Sequence, residues 1–112
     1  MQGEKLLEFL MEQLDNHKID DIEVIDVRGK TSLASYLIIG TGRSEKHIEA
    51  SMERIRLALK GKEALLKVPE GKHSGWIILD LGDLILHLFT EEERNRYRLS
   101  HLWKEEMVSG SV

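Results

Sequence analysis

The chain has 112 residues, no cysteine, charged side chains at 32% of positions and a formal net charge of -4. These figures exclude a disulfide or thiolate metal site and argue against a general nucleic-acid binder, which needs clustered Lys and Arg. An acidic domain of this size instead suits a basic protein partner.

The length predicts one domain, over residues 1–108, with 109–112 as a flexible tail. No apolar run approaches the roughly 18 residues that span a bilayer. The first residues interleave acids and lysines with their apolar positions, unlike a signal peptide. The expectation is a cytoplasmic protein with no membrane partner.

Glu4 to about Asn16 reads as a helix, with Leu7, Leu10 and Leu14 as a stripe widened by Leu6, Phe9 and Met11. Glu23 to Val27 alternates as a strand and ends at Arg28-Gly29. Tyr36 to Ile39 is a β-branched and aromatic run, expected as a buried strand closed by Gly40-Thr41-Gly42. Ser44 is placed to cap a second helix that reaches Leu59, with Ile48, Met52, Ile55 and Leu59 on one side and Gly61 as its stop. Leu65 to Val68 predicts a short edge strand before Pro69. A hairpin follows, then a brief helix from Glu91 to Tyr97 and a final turn over Leu99 to Trp103. The order predicts an α/β (α+β) domain, a mixed sheet of about five strands with flanking helices.

The hairpin carries the most information. With Gly82-Asp83 as a Gly-first two-residue turn, Leu81 faces Leu84, Leu79 faces Leu86 and Ile77 faces Leu88. That face is aliphatic and must be buried. The opposite face pairs Trp76 with Phe89, Ile78 with His87 and Asp80 with Ile85. Asp80 and His87 then become diagonal neighbours, roughly 7–8 Å apart at the backbone. A polar pair that fixes register, a recognition surface, or, with Asp83, a metal or acid/base cluster would account for them.

The chemistry available is sparse. Gly40 to Ser44 before a helix offers backbone N–H groups to an anion, but matches neither a phosphate loop nor a dinucleotide fingerprint. The glycines are needed simply to turn into the helix. His17, His47, His73 and His101 have no ligating spacing, so no metal site is expected. No nucleophile has a visible base. Lys60, Lys62, Lys67, Lys72 and His73 form one locally basic connection. Leu99, Leu102 and Trp103 share a helical face, either capping the core or leaving Trp103 as an exposed anchor.

The segment Trp76-x-x-Leu79-Asp80-x-Gly82-Asp83-x-x-x-His87-x-Phe89, with Arg94, Tyr97, Leu99 and Leu102-Trp103, resembles the ribosomal silencing factor (RsfS, or Iojap-like) family. Asp26-Val27-Arg28, Thr31-Ser32, Tyr36, Ile38, Gly42-Arg43-Ser44 and Ile48 extend the likeness over nearly the whole chain. Ser35, Leu37 and Ser100 depart from it, where the family usually has aspartate, phenylalanine and glutamate. The resemblance implies a nucleotidyltransferase-like fold without enzymatic activity and without a cofactor. It also implies binding to the large ribosomal subunit through ribosomal protein L-fourteen, which sterically blocks joining of the small subunit and represses translation when nutrients are scarce. The residues expected to face that partner are Trp76, Asp80, His87, Tyr97 and Trp103, with Asp83 nearby.

A peripheral contact of the Lys60 to His73 connection with ribosomal RNA, and a homodimer, are compatible with this picture. The rival reading is a small nucleotidyltransferase-like enzyme that binds nucleotide and metal. Such enzymes place two acids at i, i+2 on a strand after the glycine loop. Here only Asp21-Ile22-Glu23 has that spacing, and it precedes the glycines.

Overall fold

The computed structural model describes residues 3–32, 34–60, 69–71 and 74–97. In chain order they form α1 (Gly3–Asn16), β1 (Asp20–Asp26), β2 (Tyr36–Gly42), α2 (Glu45–Leu59), β3 (Trp76–Asp80), β4 (Leu84–Thr90) and α3 (Glu91–Tyr97). The strands make one sheet in the order β1-β2-β4-β3, with β2 and β4 parallel and both outer pairs antiparallel. This is the mixed α+β sheet expected, but the described residues hold four strands rather than about five. The expected strand at Leu65 to Val68 and the turn at Leu99 to Trp103 lie outside the described residues. Glu70, just beyond the former, makes an isolated bridge to Ile78.

One sheet face is covered by α1 and α2. Leu6, Leu10 and Leu14 recur at i, i+4, i+8 and are fully buried, so the stripe of α1 centres on Leu6 rather than Leu7, which is only partly covered. From α2, Ile48, Met52, Ile55 and Leu59 meet Tyr36, Ile38, Ile77, Leu79, Leu84, Leu86 and Leu88 of the sheet. Truncating one of these leucines or isoleucines to alanine would cost about 2–5 kcal/mol. The start of α2 is fixed by Ser44, whose backbone is extended and whose Oγ accepts the His47 N–H at 3.0 Å. At the other end the Lys60 N–H reaches back to the carbonyls of Arg56 and Leu57.

The hairpin has the expected register throughout, from Trp76 opposite Phe89 to Asp80 opposite Ile85. Gly82 has φ +85°, the left-handed geometry that a Gly-first turn requires. The Asp83 carbonyl accepts N–H groups from Ser35 and Tyr36 at 2.7 and 3.1 Å, which ties the turn to the start of β2.

Gly40 and Gly42 differ from expectation. They belong to β2 itself and make no turn. A Cβ at Gly40 would collide with the Ile19 side chain, and one at Gly42 with that of Ile48. Close packing of α1's exit and α2's entry against the strand, rather than chain reversal, demands glycine there.

Candidate functional site

The second sheet face carries the unusual chemistry. The pairings align Glu23, Ile39, His87 and Ile78 in one row across the four strands, and Thr41, Phe89 and Trp76 in the next. Trp76 lies on the edge strand β3 and is partly exposed, whereas Phe89 is 1% and His87 only 7% exposed. The indole stacks on Phe89 with centroids 4.9 Å apart and planes at 24°. Its Nε1 donates to His87 Nδ1 at 3.0 Å. With Nδ1 accepting, the neutral ring carries its proton on Nε2. Burial lowers the His87 pKa to about 4, so the ring is uncharged at neutral pH.

The expected Asp80–His87 pair does not form. His87 makes its hydrogen bond to Trp76, its other diagonal neighbour. Strand twist brings one diagonal of an antiparallel pair together at the expense of the other. Asp80 Oδ1 instead accepts the Gly82 N–H at 2.9 Å and closes the hairpin turn. Asp83 is exposed in that turn. Tyr97 is the last residue of α3, but its side chain lies outside the described residues, as does all of Trp103. The structure therefore brings Trp76 and His87 together, sets Asp80 and Asp83 along the hairpin towards its turn, and leaves the other two undescribed.

Arg94 is the residue whose role the sequence did not reveal. From α3 it spans three partners: the Asp21 carbonyl, Thr41 Oγ1 at 2.7 Å and Glu23 Oε1 at 2.7 Å. β1 shifts register between Asp20 and Glu23, and Asp21 has φ +49°. The guanidinium thus satisfies a carbonyl at the irregular part of the strand and clamps α3 over the sheet. A single arginine after three glutamates signals nothing about partners more than fifty residues upstream.

The aligned Asp26-Val27-Arg28 and Tyr36 also converge. Arg28 hydrogen-bonds both Asp26 carboxylate oxygens, at 2.6 to 3.2 Å, and lies 5.1 Å from the Tyr36 ring centroid. The Arg28 hydrogen bonds hold the Asp26 carboxyl at a pKa of about 2. Among the described residues no three His, Asp or Glu side chains converge to hold a metal. Nor is any described helix long and apolar enough to cross a membrane.

Comparison with known proteins decides the family. The family described as "Ribosomal silencing factor during starvation" matches residues 1–111. The chain belongs to the ribosomal silencing factor family. A Haemophilus influenzae protein named ribosomal silencing factor RsfS is 39% identical over 99 residues, covering 88% of this chain and 97% of the relative. Its Zymomonas mobilis namesake is 34% identical, covering 97% and 86%. A crystal structure of a Chromobacterium violaceum protein superposes with a TM-score of 0.86 at 27% identity, covering 93% of this chain and 88% of that one. Family membership gives the Trp76–His87 face its context: relatives bear the name of a regulator of ribosomes, not of an enzyme.

Proposed function

We propose that this chain silences ribosomes in the cytoplasm by docking on the large subunit through ribosomal protein L-fourteen, where its bulk blocks the small subunit from joining and so represses translation. The match to the silencing family over residues 1–111 carries this reading. Such a function needs a surface and no reaction centre, and an interface of roughly 800 Å² per partner suffices when a few anchors are well held.

Trp76 fits the part of an anchor. It is partly exposed, stacked on the buried Phe89 and oriented by the buried His87, so little side-chain freedom remains to be lost on binding. His87 acts through Trp76 because it is itself enclosed. Asp80 and Asp83 add negative charge near the hairpin turn, complementary to a basic ribosomal protein. Tyr97 and Trp103 are added as contact residues from their place in the family motif alone.

The test is subunit reassociation followed by gradient sedimentation, with and without the protein. The 70S fraction should fall as protein is added. Trp76→Ala and Asp80→Asn should each weaken large-subunit binding by about tenfold, the latter keeping an oxygen for the Gly82 N–H. Subunits that couple normally in excess protein would overturn the reading.

A further inference from the structure

Away from the aromatic face, a cavity of about 210 Å³ opens between the end of α1 and the first turns of α2. Lys18, Arg43 and Arg54 line it, together with His17, Asn16 and Ser51. None of its lining residues is acidic, in a chain where acids outnumber lysines and arginines 20 to 16. Arg28, Arg56, Arg94 and Arg96 each pair with a carboxylate. Arg43 and Arg54 are the two described arginines that do not, and both face this cavity.

A second observation is independent of charge. Ser51 is 3% exposed, and its hydroxyl makes no hydrogen bond among the described residues. A buried hydroxyl without a partner costs free energy unless something else satisfies it. The walls are also fixed in place. His47 Nδ1 accepts the Arg43 N–H at 2.9 Å while Nε2 lies 2.7 Å from the His17 carbonyl, which ties the exit of α1 to the entry of α2. Lys18 sits in the left-handed region, φ +59°, where glycine is the usual occupant. Burial and the nearby Arg54 both press the His17 pKa down, as expected beside uncompensated positive charge.

We propose that this cavity binds a phosphate group, with Lys18, Arg43 and Arg54 supplying the charge and Ser51 a hydroxyl donor. The cavity is open to solvent, so its charged walls hold the anion while the rest of a phosphorylated molecule extends outward. It lies beside the carboxyl end of β2, the sheet end where open α/β folds receive ligands. The same chemistry is offered by a free phosphorylated small molecule and by an RNA backbone phosphate.

The experiment is calorimetric titration of the full chain with inorganic pyrophosphate at constant ionic strength in chloride. Saturable binding is expected, weakened at least tenfold in Arg54→Gln and in Lys18→Gly, the latter placing the preferred residue at its φ so that the fold is retained. Ser51→Ala should weaken it several-fold, and Arg96→Gln, outside the cavity, should leave it unchanged. An RNA oligonucleotide without terminal phosphates that competes for the site assigns the backbone as the source; failure to compete assigns a free small anion. Absence of saturable binding, or equal weakening by Arg96→Gln, overturns the proposal.

Discussion

The indole N–H of Trp76 ends on the Nδ1 of His87, a ring that burial keeps neutral. The pH dependence follows from this pair. An unfolded chain takes up the His87 proton near 6.5, whereas the folded chain resists until about 4. The unfolded state therefore binds more protons between these values, and stability falls as pH drops from about 6.5, levelling off below about 4. At 1.36 kcal/mol per unit the loss is about 3 kcal/mol. Urea denaturation across pH 4–7 should show that slope in the native chain and a flatter one in His87→Gln, whose amide oxygen can still accept from Trp76. Parallel slopes would remove His87 as the cause.

Arg94 joins α3 to β1 and β2 through Asp21, Thr41 and Glu23. Its side chain is 17% exposed, so the contact is partly shielded from water. Arg94→Met should lower stability by about 2 kcal/mol, the scale of charge-assisted hydrogen bonds lost to their partners. Arg94→Lys should recover less than half of it, because an ammonium lacks the planar fork that spans separate acceptors. Denaturant midpoints at pH 7 measure both, and a double cycle with Glu23→Gln isolates the ion pair.

The register of β3 on β4 was legible because it is local. A Gly-first turn and strict alternation leave one way to bury Leu79 and Leu86 together. The cap at Ser44 and the stripe from Ile48 to Leu59 are likewise written within a few residues of where they act. The choice of Trp76 over Asp80 as the partner of His87 was not legible, since alternation makes them equivalent and only twist separates them. Nor was the cavity, whose walls at Lys18, Arg43 and Arg54 meet only once α1 and α2 are packed. The parallel pairing of β2 with β4 depends on a crossover that no local pattern encodes.

The role of Gly40-Thr41-Gly42 is not local either, since its constraint comes from Ile19 and Ile48. Gly42→Ala should therefore destabilise by about 1–3 kcal/mol, the usual cost of overpacking. Its methyl would displace Ile48 and press on His47 Nδ1, 3.0 Å from the added carbon. The His47 link to Arg43 should loosen with it, so protection of the Arg43 amide from hydrogen exchange should fall more than that of β4. Equal stability of Gly42→Ala and the native chain would mean that α2 can shift freely at its entry.

Lys18 follows the last turn of α1. The Ile19 N–H returns to the Leu14 carbonyl at 2.9 Å and the Lys18 N–H to that of Asp15 at 3.1 Å, the pattern of a Schellman stop whose left-handed residue is usually glycine. A lysine there is strained by roughly 1–2 kcal/mol, of which glycine's greater unfolded-state freedom cancels part. Lys18→Gly should thus raise stability by about 0.5–1 kcal/mol, or roughly 2–4 °C in melting temperature. The same change should weaken phosphate at the cavity. A gain in stability with a loss of anion affinity is the signature of a strained residue retained for binding. If Lys18→Gly melts below the native chain, the strain is not there to relieve.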